Sequence, residues 1–469
     1  MADGLAGDWW VRFVFERALA LIYLIAFINA VNQYVPLVGQ HGLLPAGDFI
    51  RDVPFVRSPS LFYLAHSDLT FRIASWAGVA LSCVALSGIA GRAGGLAAAA
   101  VWGALWVLYL SLVNVGQTFY AFGWETLLLE AGFLAMFLGG RAAAPSVAVG
   151  WLYRWLLFRV MFGAGLIKLR GDSCWRDFTC LNSYFETQPI PNPLSWFFHH
   201  LPSGFHTAGV AVNHAVELGV PFAYFLPQPF AGIAGLVTMG FQGTLILSGN
   251  LSWLNWLTIA IAIPTLDPRW FAWLPAPPLH EPEAVHRAVT YGLVAVVALL
   301  SVNPVLNLVS AGQMMNASFE PLHLVNTYGA FGSVTRDRDE IVIQGTADTE
   351  ITDQTVWREY EFKGKPGDPA RRPIQIAPYH LRIDWLMWFA AMSTPNEHPW
   401  FQVLMLRLLE GDGPTLSLLG SNPFPDQPPR YVRALLYRYR FTTPDEHRRT
   451  GAWWTRELLG PYTPTIRLR

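Results

Sequence analysis

The chain has 469 residues, of which 52% are hydrophobic and only 14% are charged, and its formal net charge is -1. A soluble domain carries about 25% charged residues, so the composition argues against a soluble protein, and no basic surface suited to a nucleic-acid partner is evident. Three cysteines in so long a chain exclude a disulfide scaffold.

Apolar segments near the length of about 20 residues that crosses a bilayer recur between positions 13 and 308. They predict an all-α polytopic membrane domain over residues 1–310, with about nine transmembrane helices. No clear small-residue cleavage site accompanies the first segment, so we expect a retained helix rather than a signal peptide. The predicted spans are 13–31, 71–90, 95–113, 124–138, 147–166, 206–225, 230–247, 251–263 and 285–306.

The orientation of the predicted spans follows from their odd number and from the basic residues beside them. The arginines give only a weak positive-inside bias, with Arg12, Arg17, Arg92 and Arg141 on the N-terminal side. We predict a cytoplasmic N-terminus. An outer loop at 168–205 and the C-terminal region then face away from the cytoplasm.

Six ionisable residues lie within the predicted spans. An ionisable group at the bilayer centre costs about 3 kcal/mol on insertion scales, so each should face the bundle interior and find a partner. We expect Glu130 to pair with Arg159 or Arg154. The set is compatible with a structural ion-pair network or with a polar cavity for a substrate or lipid head group. Its members are Glu125, Glu130, Arg154, Arg159, His214 and Glu217.

Two cysteines, Cys174 and Cys180, flank five residues directly outside the fifth predicted span. This spacing is compatible with a structural disulfide, with two free thiols or with a redox-active pair, although the C-x-x-C spacing of redox enzymes is absent. We predict a disulfide, which an oxidising compartment favours. The ring would display a client-contact surface, or else cap the helices, through Trp175, Arg176 and Asp177.

The composition changes near Ser310, and residues 311–469 predict a smaller extracytoplasmic α+β domain. Strand-like runs occur at 340–343 and 357–362. Helices are predicted over 385–392, 400–409 and 429–437. The sequence contains no phosphate-binding loop, no nucleophile elbow and no H-E-x-x-H motif, so we predict no catalytic constellation, no metal site and no cofactor.

Several long motifs in the chain resemble one known family. The segment GDSCWRDFTCLNSYFETQPIPNPLSW resembles the signature loop of the lipase maturation factor family. The resemblance continues through NTYG, WREYEFKGKPGDPARRP, IDWLMWFAAM, SNPFPDQPPRYVRALLYRYRF and TGAWW. It implies a multipass membrane protein that helps homodimeric lipases to fold and assemble, located in animals in the endoplasmic reticulum.

The partners implied are therefore the lipid bilayer and a secreted lipase or other protein client. Lysine is scarce beside abundant arginine and alanine, which predicts a GC-rich bacterial source and thus a bacterial cytoplasmic membrane. For a eukaryotic source, the same resemblance implies the endoplasmic reticulum membrane.

A second, more distant resemblance concerns the membrane half. The segment GAGLIKLRGD is similar to a helix end of the vitamin-K-dependent carboxylase and related membrane domains, where Lys168 corresponds to the catalytic lysine. Lys168 is either a base in a membrane enzyme that acts on a lipophilic substrate or a protein, or a lysine that extends to the membrane interface. We predict a non-enzymatic, chaperone-like maturation factor, with the membrane enzyme as the alternative.

Overall fold

A computed structural model describes residues 2–468 of the chain. The described chain is helical as far as Val309 and contains both strands and helices from Ala317 onward. The helices are α1 Ala2–Val38, α2 Ala46–Asp52, α3 Asp68–Ser87, α4 Ile89–Ala93, α5 Gly95–Val115, α6 Gly123–Ala135, α7 Val147–Arg170, α8 Ser173–Arg176, α9 Leu181–Thr187, α10 Ser195–His199, α11 Ser203–His214, α12 Val220–Ala223, α13 Phe230–Ser248, α14 Leu254–Ala262, α15 Ala284–Leu300, α16 Val302–Val309, α17 Arg382–Ala391, α18 Pro399–Glu410, α19 Gly413–Leu416 and α20 Pro444–Thr450.

Five helical segments of the described chain are long and apolar enough to cross a membrane: α3, α5, α7, α13 and the continuous segment formed by α15 and α16. The other four predicted spans correspond to different elements. Residues 13–31 belong to the 37-residue α1, whereas 124–138 and 251–263 contain helices of 13 and 9 residues. Residues 206–225 form α11, a π-helical segment and α12. Five spans are therefore supported, and nine remain a prediction.

Helix α1 forms much of the centre of the helical half, where it packs along α3 and also contacts α5, α6 and α14. Its Tyr23 is fully buried against Tyr109 of α5, with ring centroids 5.8 Å apart. Gly78 of α3 permits the close packing of α3 against α1, because a Cβ at this position would overlap the ring of Phe27 in α1. Small residues at such crossings let helix backbones approach one another.

The π-helical segment Ala215–Gly219 separates α11 from α12. Pro221 follows it, and proline has no N–H to donate to the carbonyl four residues earlier, with which its ring would also clash. The helix widens locally, and the Val220 N–H donates to the Ala215 carbonyl. Such π segments often occur at functional sites, and this one carries Glu217.

The C-terminal region contains a four-stranded antiparallel sheet in the order β4-β3-β7-β8, together with two small two-stranded sheets. Helix α17 packs on β3, which is buried along almost its whole length. The strands are β1 Ala317–Ser318, β2 Asn326–Thr327, β3 Arg338–Thr346, β4 Arg358–Glu359, β5 Glu361–Phe362, β6 Leu419–Ser421, β7 Tyr431–Phe441 and β8 Trp454–Ile466.

The helix predicted over 429–437 is wrong, because most of that segment lies in strand β7. Strand β7 pairs with β3 along its whole register, from Arg338 opposite Tyr439 to Thr346 opposite Tyr431. It pairs with β8 on its other side. Pairing on both edges satisfies the backbone groups of β7 and outweighs the helical preference of its central Ala-Leu-Leu.

Candidate functional site

Glu130, one of the six ionisable residues of the predicted spans, lies on α6 against Arg159 of α7, and both side chains are almost completely buried in an ion pair. Residues 326–328 complete this cluster. The Arg159 Nη1 donates to the carbonyl of Asn326 at 2.6 Å, and the Tyr328 hydroxyl donates to Glu130 Oε2 at 2.8 Å. The Asn326 N–H donates to the same oxygen at 3.0 Å. The buried charges thus fasten the NTYG segment to two helices.

Glu125, one turn earlier on α6, finds its partner in the C-terminal region. Arg382, the first residue of α17, places its Nη1 2.7 Å from Glu125 Oε1, and neither side chain is exposed. The Arg382 Nε donates to Asn29 at 2.8 Å, and the Tyr109 hydroxyl donates to Glu125. The guanidinium lies over the ring of Tyr120, 3.5 Å from its centroid. Arg382 is a residue that the sequence analysis missed.

Lys168 forms a third cluster at the C-terminal end of α7. Its Nζ lies 2.6 Å from Glu217 Oε1 and 3.0 Å from Asn213 Oδ1. The lysine is only 5% exposed, so it does not extend to the interface. These two contacts hold the lysine side chain in place inside the protein. Asn213 donates to the second oxygen of Glu217 at 2.9 Å and fixes the carboxylate.

Arg154 and His214 stand apart from these ion pairs. Arg154 donates to the carbonyl of Tyr224 at 3.1 Å and lies over the ring of Trp151. His214 Nε2 lies 2.9 Å from the carbonyl of Trp175. The six polar residues therefore divide among separate sites, of which His214 and Glu217 border the disulfide loop.

A disulfide joins Cys174 and Cys180, whose Cα atoms are 4.7 Å apart. The expectation that Trp175 is displayed outward is wrong, because the side chain is 2% exposed and its indole N–H donates to the carbonyl of Phe331 at 2.9 Å. Its ring also lies 5.0 Å from the ammonium of Lys168. Trp175 therefore holds the disulfide loop onto the helices and the C-terminal region.

The exposed part of the ring is Arg176, Asp177, Phe178 and Thr179. Phe178 is 38% exposed and has a φ of 59°, a left-handed backbone conformation that is uncommon for a bulky residue. Such strained positions are enriched at functional sites. Phe178 was not predicted from the sequence, because Trp175 in the same ring was expected to be the exposed aromatic. No sequence signal distinguishes the buried ring from the exposed one.

The outer loop is fastened to the C-terminal region at a second place. Arg338 of β3 donates to the backbone carbonyls of Glu186 and Pro189 at 2.8 and 2.9 Å. Its charge is balanced by Glu340 at 2.6 Å, which also pairs with Lys365 at 2.9 Å. All three charged side chains are buried, so the loop and the sheet form one packed surface.

Among the side chains of residues 7–468, no cluster of three His, Cys, Asp or Glu residues is suited to hold a metal ion. The buried ion pairs, the disulfide and the backbone hydrogen bonds hold the outer loop, the helices and the C-terminal region in fixed positions. The arrangement is suited to presenting a rigid surface.

Comparison with known proteins identifies the family. A family model described as the lipase maturation factor transmembrane domain matches residues 10–273, and one described as the lipase maturation factor C-terminal domain matches residues 324–464. The chain belongs to the lipase maturation factor family. No solved structure matches it.

Curated members of the lipase maturation factor family align over nearly the whole chain. Lipase maturation factor 1 of Bos taurus is 44% identical over 98% of this chain and 90% of its own length. The Homo sapiens protein of that name is 42% identical over 98% of this chain and 88% of its own. Lipase maturation factor 2 of Gallus gallus is 30% identical over 97% of this chain and 81% of its own.

The resemblance found in the sequence motifs is thereby confirmed, and the chain is a membrane protein with several apolar helices. The relatives named above are vertebrate proteins. They give no support to the bacterial source that the scarcity of lysine predicted.

Proposed function

We propose that this chain is a membrane-embedded, chaperone-like maturation factor that assists the folding and assembly of secreted client proteins. The observation that carries the proposal is the 44% identity, over 98% of the chain, to a protein named lipase maturation factor 1. Lipases are accordingly the proposed client class. The alternative of a membrane enzyme is not favoured, because Lys168 is engaged by Glu217 and Asn213.

The proposed client contact is the exposed tip of the disulfide ring, formed by Arg176, Asp177 and Phe178. The ring is held by its disulfide and by the hydrogen bond of Trp175, so little conformational freedom is lost when a client binds. An exposed aromatic beside charged residues is typical of interaction hot spots. The buried polar contacts then serve as supports for this surface, and they are made by Glu125, Glu130, Arg154, Arg159, His214 and Glu217.

The proposed topology has about nine spans, a cytoplasmic N-terminus and residues 311–469 on the outer side with the disulfide ring. A disulfide persists in an oxidising compartment, and the vertebrate relatives favour the endoplasmic reticulum membrane over the bacterial cytoplasmic membrane. A glycosylation acceptor sequence placed after Arg469 tests this topology. It is modified if the C-terminus is in the lumen and unmodified if it is cytoplasmic.

The function is tested in animal cells that lack their own lipase maturation factors and secrete a homodimeric lipase. Expression of the full chain should raise lipase activity per amount of secreted lipase protein. Phe178→Ala should lower that ratio, whereas Phe389→Ala, which removes an aromatic of similar exposure from α17, should not. Equal activity with and without the wild-type chain contradicts the proposal.

The double variant Lys168→Gln and Glu217→Gln distinguishes a maturation factor from a membrane enzyme that uses Lys168. Removing both charges avoids leaving an unpaired carboxylate in the protein, and the amides can still hydrogen-bond to each other. A maturation factor without lysine chemistry retains its effect on the lipase in this variant. Loss of that effect, in a variant with wild-type expression and unfolding temperature, supports the enzyme.

A further inference from the structure

A cavity of about 490 Å³ lies at the end of the helical half that is opposite to the disulfide ring. Helix α7 runs from Val147 near this end to Arg170 beside the ring, and its 24 residues span about 36 Å. The cavity volume lies within the range of about 300 to 1,000 Å³ that is usual for small-molecule sites. Its lining includes Trp9, Trp10, Phe13, Arg17, Arg92 and Arg141.

The charge of the cavity is strongly positive. Among its three arginines only Arg17 has a carboxylate partner, Glu16 at 2.7 Å, and that carboxylate also lies 3.9 Å from Arg12. The guanidiniums of Arg92 and Arg141 form neither an ion pair nor a hydrogen bond with any side chain between residues 7 and 468. Gathering like charges is unfavourable unless an anion joins them, and arginine is the side chain best suited to phosphate oxygens.

The cavity is a formed site rather than a group of mobile surface side chains. The Trp9 indole N–H donates to the carbonyl of Arg141 at 3.0 Å, and the Trp10 indole N–H donates to the carbonyl of Pro275 at 3.1 Å. The Arg17 guanidinium lies over the ring of Phe13, 4.1 Å from its centroid.

Gly88, which ends α3 with a φ of 72°, leaves the space that the Arg17 guanidinium fills. A Cβ at Gly88 would overlap the Arg17 side chain. Replacing Gly88 would therefore both strain the backbone and displace the guanidinium. The position of Arg17 in the cavity depends on this glycine.

The surroundings of the cavity distinguish a lipid from a soluble phosphate. Helix α3 ends at Ser87 and α5 begins at Gly95, so the cavity lies where membrane-spanning helices end. Tryptophans favour this interfacial level. Exposed apolar side chains lead away from Arg17 along one face of α1, at Leu21 and then Ile28, which are 47% and 39% exposed.

We propose that this cavity binds the phosphate-bearing headgroup of an anionic phospholipid, with Arg17, Arg92 and Arg141 around the phosphate. One acyl chain lies along the exposed face of α1. The anion neutralises the arginines and joins α1, the α3–α5 connection and the segment before α7. In the topology proposed above, this end of the bundle faces the cytoplasmic leaflet, whose anionic lipids attract basic residues.

The test measures lipid binding to the full-length protein by native mass spectrometry in detergent, with phosphatidylglycerol or phosphatidylcholine added at equal concentration. Wild type should retain phosphatidylglycerol in preference to phosphatidylcholine. Arg92→Gln with Arg141→Gln should weaken phosphatidylglycerol binding about 30-fold, at the usual contribution of an arginine near an anionic surface. Neither guanidinium forms a hydrogen bond with a side chain or backbone group of residues 7–468, so folding should be retained.

The matched control is Arg57→Gln with Arg72→Gln, which removes the same charge from exposed arginines near the opposite end of α3. It should bind like wild type. A second variant, Ser87→Glu, keeps every arginine but places a carboxylate at the cavity, and it should also weaken binding.

The proposal is overturned by any of four results. These are equal retention of the two lipids, unchanged binding in the Arg92 and Arg141 variant, an equal loss in the control variant, or displacement of the lipid by inorganic phosphate at a similar concentration. The last result would show a site for soluble phosphate instead of a lipid.

Discussion

Arg382 and Glu125 show how strongly single residues connect the two halves of this protein. Both side chains are completely buried, and the pair joins the first residue of α17 to the first turn of α6. An isolated charge in this environment would be very unfavourable, so each side chain depends on the other. The pair is therefore a sensitive point for stability.

We predict that Arg382→Met destabilises the protein by about 3–5 kcal/mol, because it leaves the carboxylate of Glu125 buried without its ionic partner. The measurement is the unfolding transition of the detergent-purified chain. The double variant with Glu125→Gln should recover part of the loss, since no unpaired charge remains. A double variant that is less stable than Arg382→Met contradicts this explanation.

Phe178 and Trp175 lie in the same disulfide ring but have different environments. Phe178 is partly exposed in a left-handed conformation, so Phe178→Gly should raise the free energy of unfolding by about 1 kcal/mol through relief of backbone strain. The same variant should reduce the maturation of secreted lipase. Trp175→Ala should instead destabilise the protein by about 3–5 kcal/mol, because its ring is buried. A stabilised Phe178→Gly variant with full lipase maturation shows that the exposed ring has no client role.

Among the elements, the segment between α16 and β2 is held by a neutral histidine. His323 Nε2 lies 2.8 Å from Asn114 Oδ1, and Nδ1 lies against the Ser318 hydroxyl. The first contact requires Nε2 to donate, so Nδ1 is the acceptor. Burial lowers the pKa of His323 to about 4.

Stability should therefore depend on pH through His323. The unfolded chain binds the proton near pH 6.5 and the folded chain only near pH 4, so the free energy of unfolding falls as the pH is lowered between these values. The contribution of His323 to the free energy of unfolding is complete above about pH 6.5, the pKa of histidine in the unfolded chain. Unfolding midpoints measured between pH 7 and pH 5 should fall less steeply in His323→Gln than in wild type. Parallel curves contradict the assignment.

The elements also show what the sequence could predict. Helices expected over 385–392 and 400–409 largely agree with α17 and α18, because their apolar residues repeat with helical spacing. Strand β7 was expected to be partly helical, because Ala-Leu-Leu favours a helix when its two strand neighbours are unknown. Local preference decides an element only where tertiary pairing does not override it.

The same distinction applies to the candidate site. Pairing of Glu130 with Arg159 could be expected from charges on neighbouring helices, and the structure places them together. The partner of Glu125 lies 257 residues away in sequence, and no periodic pattern connects the two. Burial of Trp175 depends on the carbonyl of Phe331, which lies 156 residues away.

At the scale of the whole molecule, the two halves share one hydrophobic core. A single cluster of buried side chains extends from Tyr23 of α1 to Met387 of α17 and Trp400 of α18. His380 is surrounded by rings from both halves, with Trp124 at 5.0 Å and Trp385 at 5.6 Å between centroids. The C-terminal region is therefore an integral part of the fold.

We predict that residues 311–469 expressed alone do not form a rigid domain, because Arg382, His380 and Trp385 lose their partners in the helical half. Near-ultraviolet circular dichroism should show weak aromatic signals, and proteolysis should be rapid. Co-expression with residues 1–310 should restore protection. A fragment that resists proteolysis by itself contradicts the shared core.

The separation of Glu125 from Arg382 also determines the order in which the protein is completed. Chains are synthesised at about 5–20 residues per second, so the 257 residues between the two take roughly 10–50 seconds to follow. During that interval the carboxylate has been made while its guanidinium does not yet exist. The helical half is thus unfinished until the last third of the chain arrives.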